Sequence, residues 1–368
     1  MPKAQETILE IDVKALQHNY KYLSSKLHKN TKFLAVVKAF AYGNDADKIA
    51  KYLQNLDIDY FAVAYANEGV ALRKAGITKP ILVLHTLAVN FDVIVEQRLE
   101  PNLYNAKILN EFMGFASENN LDNYPIHIKF NTGLNRLGFW ENDVDDIVSK
   151  LKRTSAIKVK SLFSHLAASE DINERGFTLG QIERFKVIAQ NFAKAIGYQP
   201  MLHMCNTSGI LNYPEAHFDM VRSGIGLYGF GNSETESKQL KPIASLKTVI
   251  SQIHNIEKNE SVGYNRAYIS EGFEKTATLP LGHADGISRI YGKNKGFVTI
   301  KGKKAPIIGN VCMDMIMVNI TGIHCKEGDE VIVFDGEHTS AETLAEAAGT
   351  ISYELITSIS QRVKRVFV

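Results

Sequence analysis

The side chains in this chain that could do chemistry recur at the ends of apolar runs. Lys38 closes "FLAVVK", and Tyr65, His85, Arg136, His165, the triplet Asn206-Thr207-Ser208 and Arg222 follow at later run ends. Taken alone, each has an ordinary structural reading. A strand-end lysine is usually a rim residue with its stem packed and its ammonium in water, a lone histidine is usually half-buried and satisfied, and a lone arginine usually makes a surface ion pair. The other reading of Lys38 is an amine held at the mouth of an α/β sheet, where desolvation makes it a nucleophile or a base. Convergence of amine, imidazole and guanidinium on one mouth argues for chemistry. "SGIGLYGFG" adds Gly224-x-Gly226-x-x-Gly229, a formal match to a dinucleotide fingerprint. That fingerprint should follow the first strand of a βαβ unit and open a helix, whereas here it follows the last run of a series. Bare backbone N–H groups at such a place suit a phosphate instead. A lysine nucleophile facing a phosphate cup points to pyridoxal 5'-phosphate, whose aldehyde condenses with an amine and whose phosphate needs fixed donors. Arg222, with a side-chain pKa above about 12, cannot protonate the pyridine nitrogen, so the ring withdraws electrons less strongly and Cα is reprotonated rather than transaminated.

These residues need a frame that brings them together. From about residue 30 to 230, "FLAVVK", "YFAVAY", "ILVLHT", "EPNLYN", "IHIKFN", "VKSLFSH", "MLHMCN" and "DMVRSG" alternate with stretches of helical spacing such as "DADKIAKYLQNL", "NEGVALRKAGI" and "TLGQIERFKVIAQNFAKAIG". Roughly eight strand–helix units predict an N-terminal (β/α)8 TIM-like barrel rather than an open doubly wound sheet, with the fourth and eighth units the weakest. In such a barrel the C-terminal strand ends form the working face. After about residue 236 the texture becomes short strands separated by Gly, Asn and Lys turns, with one late helix from about "SAETLAEAAG". The expected division is a barrel over 12–235 and a C-terminal mainly-β domain over 236–368 that also takes the strand in 1–11. Two basic clusters, Lys293-Asn-Lys-Gly and Lys301-Gly-Lys-Lys304, flank the apolar "GFVTI" and read as solvated hairpin ends.

Bulk properties exclude other classes. With 42 basic against 40 acidic residues, the net charge of +2 gives no reason to expect nucleic acid or an anionic membrane as partner. No apolar run approaches the ~20 residues of a membrane span, and the start shows neither the apolar core nor the cleavage site of a signal peptide. Cys205, Cys312 and Cys325 are far apart and lack metal-ligand spacing, as expected of reduced thiols in a cytoplasmic protein with no metal site.

At this point the motifs resemble the alanine racemase family. "AVVKAFAYGN" is similar to the family's pyridoxal-lysine motif. "HIKFNTGLNRLGF", "FSHLAASED", "HMCNTSGI", "MVRSGIGLYG", "SVGYNRAY", "LPLGHADGISR", "GNVCMDM" and "YELITSISQRV" resemble its later signatures in the same order. The resemblance implies a pyridoxal-phosphate-dependent isomerase that interconverts L- and D-alanine, supplies D-alanine for peptidoglycan, and works as a homodimer with shared active sites. It implies that Lys38 carries the cofactor covalently and serves as the base on one face of the substrate. Tyr264, contributed by the other subunit, is the implied base on the opposite face. His165 lies between that phenol and Arg222, and Arg222 meets the pyridine nitrogen. Arg136 approaches the cofactor's phenolic oxygen and the substrate, steadied by a carbamylated Lys129. Tyr42, Asn206, Thr207, Gly224, Ile225 and Tyr353 are implied around the cofactor, mostly its phosphate. Met313, with Asp314 beside it, is implied at the substrate carboxylate, and His283 at the substrate's access route. Two bases are needed because one base would return the proton to the face it came from. A phenol with an ordinary pKa of about 10 needs support in this role.

This chain departs from the family pattern at Phe40, where Asn is common, at Asn44 (His), Thr207 (Ser), His283 (Tyr) and Lys364 (Pro). None of these removes a proton carrier; Phe40 and His283 bear on pocket shape and substrate strictness. The rival readings are a decarboxylase on the same plan, which would need a C-terminal cysteine and substrate-binding acids, and a broader amino-acid racemase, which differs only in pocket width. A non-catalytic pyridoxal-phosphate carrier would be a lone barrel, so the region after residue 236 counts against it.

Overall fold

The computed structural model describes residues 4–368. The apolar runs form strands covered on both faces, the condition that lets parallel strands be almost continuously hydrophobic. A first strand, β1 (Ile8–Ile11), precedes the eight that make the barrel: β2 (Lys32–Val36), β3 (Tyr60–Val63), β4 (Ile81–Val83), β5 (Glu100–Leu103), β6 (Tyr124–Lys129), β7 (Ile157–Phe163), β8 (Met201–His203) and β9 (Met220–Ser223). They close in chain order. Leu34 of β2 lies in register with Tyr60 of β3 on one side and Arg222 of β9 on the other, both parallel. The expected barrel is therefore present, including its two weakest units. β5 is polar because its polar groups are used inside: Asn102 donates to the Leu84 carbonyl at 2.8 Å, and Glu100 meets His127 and Tyr60.

The helical patterns form Ala46–Asn55, Ala66–Lys74 and the 22-residue Arg175–Ile196, which ends at Gly197 with φ 89°. Only a residue tolerant of the left-handed region fits that terminus without strain.

Among the described residues, the second domain is built on a nine-stranded sheet, with a two-stranded ribbon of Ser261–Val262 and Tyr268–Ile269 beside it in sequence. The sheet order is Gln252–Ile256, Glu274–Leu279, Ile316–Asn319, Lys303–Ile308, Phe297–Ile300, Glu330–Phe334, Ala244–Val249, β1 and Lys364–Phe367. β1 pairs antiparallel with Ala244–Val249 and parallel with Lys364–Phe367, so the start of the chain is built into the C-terminal sheet. Lys301 and Gly302, at φ 49° and 75°, make the tight turn between the two hairpin strands flanking them, as the basic cluster there suggested. Two late helices appear where one was expected: Ala341–Ala347, capped by Ser340, and Ser352–Ser358. Seven residues are under two turns, too few to display a helical period in sequence.

Candidate active site

Lys38 follows β2, and the backbone behind it is unusual. Ala39, Phe40, Ala41 and Tyr42 all sit in the left-handed region, with φ between 52° and 55°. L-residues avoid a left-handed turn, so the surroundings must hold this one. Glu68 accepts from Ala39 N at 2.6 Å and from Ala64 N at 2.7 Å, pinning the turn to the end of β3. On the other side, the Arg365 guanidinium donates to the Gly43 carbonyl and lies 5.5 Å from the Phe40 ring. Asn44 closes the turn through Nδ2 to the Ala41 and Tyr42 carbonyls. The Phe40 and Asn44 departures thus both serve this turn.

The turn aims Tyr42 at the loop after β9. A Cβ added to Gly224 would lie 2.2 Å from the Tyr42 hydroxyl, and one on Gly226 would lie 2.5 Å from the Thr207 methyl. Glycine is required at both positions by close approach. Thr207 and Ile225 open short helical turns, so their N–H groups lack an intrahelical acceptor. Asn206 caps the first turn by accepting from Gly209 N at 2.8 Å. Tyr353, from the second late helix, donates to Asn232 at 2.9 Å and joins the C-terminal domain to the cup. Its ring centroid lies 6.1 Å from that of Tyr42.

Across the same cavity lies Arg222 on β9, buried and held by four polar contacts. Nη1 is 2.8 Å from His203 Nδ1, and Nη2 contacts the Ser164 and Met204 carbonyls and His165 Nδ1 at 2.8, 3.1 and 3.1 Å. Phe163 lies beneath it at 5.4 Å. Because a guanidinium only donates, both histidines present a bare Nδ1 to it, and a neutral His165 carries its proton on Nε2. Burial and the charge of Arg222 hold both histidines well below the usual imidazole range. Burial also lowers the Arg222 guanidinium itself to about 10. Lys129, at the end of β6, has its ammonium position 5.7 Å from the Phe163 ring, and burial with the charges of Arg222, Arg136 and Lys38 brings it down to about 7. Burial, then Arg136, also lowers Lys38, with Glu68 opposing.

Lys38, Tyr42, Lys129, Arg136, His165, Asn206, Thr207, Arg222, Gly224, Ile225 and Tyr353 all line one cavity of about 380 Å³, together with Tyr65 and His85. Ser208 is turned away and donates to Glu236. Tyr264 and Met313 are elsewhere, 74% and 60% exposed, sharing a second hollow with Cys312 and Asp314. His283 is exposed beside them, its backbone N–H bonded to the Cys312 carbonyl. Arg362 ties this region together through Asp285 at 2.7 Å and Asp314 at 2.6 Å. Sequence reasoning missed Glu68, His203, Arg365 and Asn232. Of these only His203 had a signal, lying on a strand that was already recognised.

A closed barrel whose one cavity holds a desolvated amine, a glycine-lined cup and a buried guanidinium–imidazole pair, completed by a β-domain, has the form of a barrel enzyme with its active site at the strand ends. The comparisons narrow it. Residues 11–231 match the model of the alanine racemase N-terminal domain, and residues 243–367 match that of its C-terminal domain. Alanine racemase of Halothermothrix orenii is 35% identical over 98% of this chain and 96% of its own, and that of Treponema denticola is 36% identical over 100% and 98%. The solved alanine racemase of Clostridium difficile 630 superposes with a TM-score of 0.93 at 32% identity, covering 100% of this chain and 97% of that one. The chain belongs to the alanine racemase family and is an isomerase acting on an amino acid.

Proposed function

We propose that this enzyme interconverts L- and D-alanine with pyridoxal 5'-phosphate in the cavity described, using Lys38 and the partner subunit's Tyr264 as opposite-face bases. The carrying observation is the placement of a depressed-pKa amine, Lys38, between a glycine-lined cup and a buried arginine in one cavity. The donor set fits the group: Tyr42, Thr207 and the Gly224–Ile225 backbone at the phosphate, and Arg222 at the pyridine nitrogen. When bound, the cofactor supplies an electron sink that makes the substrate Cα–H acidic. Burial and the neighbouring Arg136 charge favour the unprotonated Lys38 amine, the form whose Nζ can accept a proton from the substrate. His165, with its proton on Nε2, offers a donor that can orient a phenol. Arg222 shows no protein acceptor at Nε among the described residues, which leaves an N–H for the ring nitrogen.

Several finer assignments belong to this reading. An uncharged Lys129 amine adds CO₂ with loss of a proton, and the resulting carbamate is an anion among three cations, suited to hold Arg136. Met313 and His283, on the Tyr264 side, meet the substrate carboxylate and the access route of a partner's cavity in a homodimer. A cytoplasmic enzyme supplying D-alanine for peptidoglycan is the corresponding role. A broader racemase for small amino acids is the second reading, favoured by the Phe40 and His283 departures.

The test is Tyr264→Phe, followed by proton exchange in D₂O. Because the equilibrium constant of a racemisation is unity, kcat/KM must fall equally in both directions. One enantiomer should keep exchanging its α-proton through Lys38 while the other stops. If both enantiomers keep exchanging, or both stop together, a two-base mechanism is wrong.

A further inference from the structure

The hydrogen bonds around Arg222 do not end at the cavity. His203 Nε2 is 2.8 Å from Ser161 Oγ, Ser161 Oγ is 2.5 Å from His127 Nδ1, and His127 Nε2 is 2.7 Å from Glu100 Oε2. The relay steps from β9 through β8, β7 and β6 to β5. Tyr60, on β3, donates to the same Glu100 oxygen at 3.2 Å, a contact that skips β4 and so crosses the barrel interior. Every member is buried, from 0% exposed at His127, Ser161 and His203 to 8% at Glu100.

The ends of this relay have no freedom: a guanidinium only donates and a carboxylate only accepts. Between them, with both imidazoles neutral and the Ser161 proton given to a ring nitrogen, one arrangement satisfies every contact. Arg222 gives Nη1–H to His203 Nδ1, His203 gives Nε2–H to Ser161, Ser161 gives its hydroxyl proton to His127 Nδ1, and His127 gives Nε2–H to Glu100. If the carboxylate were removed, the His127 proton could move to Nδ1. Ser161, now accepting from His127, could then turn its own proton to His203 Nε2, which opens a competing arrangement with the His203 proton on Nδ1, against the Arg222 donor. Stability alone does not account for Glu100. A buried carboxylate is costly, and among the described residues no lysine or arginine pairs with it directly. Arg73 is close enough to feel its charge but spends its N–H groups on the Gln97, Ile77, Lys79 and Arg98 carbonyls.

We propose that Glu100 is a positioning residue of the site: through His127, Ser161 and His203 it fixes the proton positions that keep Arg222 donating to His165 and its free edge turned to the cavity. This rests on the racemase reading only for its effect on rate. The test uses the holoenzyme labelled with ¹⁵N-histidine. Glu100→Met removes the acceptor, Glu100→Gln keeps an oxygen for His127, and Ser161→Ala breaks the relay with a smaller change should the first variant not fold. In Glu100→Met and Ser161→Ala, the ring ¹⁵N signals of His203 and His165 should leave their single-tautomer positions, and kcat should fall about tenfold with KM little changed, the scale of a lost hydrogen bond to a charged group. Glu100→Gln should restore both readouts. Unchanged ring signals in the folded variants, or changed signals with wild-type kcat, overturn the proposal. A wild-type enzyme that does not racemise would instead overturn the reaction assigned above, and the ring signals would then decide the relay alone.

Discussion

Lys129 is an amine that the folded barrel surrounds with cations. As an amine it is buried beside Lys38, Arg136 and Arg222, and its pKa falls from 10.5 to about 7. Between those values the unfolded chain binds a proton that the folded chain does not, so this residue makes stability rise with pH across that window. One proton corresponds to a slope of up to about 1.4 kcal/mol per pH unit. Lys129→Met lacks the slope. In CO₂-free buffer its stability advantage over the parent should therefore be largest near pH 7 and shrink as pH approaches 10.5. Urea unfolding of both proteins across that range checks this, and two parallel pH curves would show that the amine is not desolvated as described. Adding bicarbonate should stabilise the parent and leave the variant unmoved, since only the parent can convert its misplaced cation into an anion. The family resemblance singled out Lys129, but its burial against Phe163 is a property of the folded barrel that no local pattern of residues displays.

At the scale of elements, the left-handed turn after β2 does the positioning, and two of its glycine contacts separate stability from binding. Gly43 has φ +86°, and a Cβ there would meet the Ile356 carbonyl oxygen at 2.2 Å, backbone against backbone. Gly43→Ala should cost roughly 2–4 kcal/mol of folding stability. Gly224→Ala meets only the Tyr42 side chain, its hydroxyl at 2.2 Å and Cζ at 2.8 Å, and relief by movement of that ring comes at the expense of the cup. Cofactor-free Gly224→Ala should unfold within about 1 kcal/mol of the parent, yet bind pyridoxal 5'-phosphate about tenfold or more weakly. Thermal unfolding and an absorbance titration distinguish the two; equal losses of stability would refute the division of labour. The turn also marks where sequence reasoning stops. The barrel strands were legible because buried parallel strands are written as apolar runs, and even β5 was found despite Glu100 and Asn102. Residues 39–42 contain no glycine, and their conformation is imposed by Glu68 and Arg365, which are far away in sequence. The local contribution is Asn44, which ties back to the Ala41 and Tyr42 carbonyls, and it does not by itself signal a left-handed turn in sequence.

At the scale of the whole molecule, the residues proposed for the reaction lie in two separate places. Lys38 and its supports line one cavity, while Tyr264, Met313 and Met315 stand exposed at 74%, 60% and 46% on the C-terminal domain. Three large apolar side chains left in water beside one another are costly unless another surface covers them. The motifs pointed to Lys38, Tyr264 and Met313 as one set, but sequence order cannot say whether two of them meet within one chain or between two. Complementation decides it. Lys38→Ala and Tyr264→Phe are each inactive as homodimers under the two-base reading. When the two are unfolded and refolded together, half of the dimers are mixed. In a mixed dimer with shared sites, one site pairs the two altered residues and the other pairs the intact Lys38 with the intact partner subunit's Tyr264. Activity should return to about a quarter of the parent level by random pairing of protomers. If each site were built within one chain, both sites of every mixed dimer would carry one defect and nothing would return. Recovery near that fraction therefore requires that the exposed tyrosine completes a cavity in another copy, and its absence would overturn the sharing of sites between subunits.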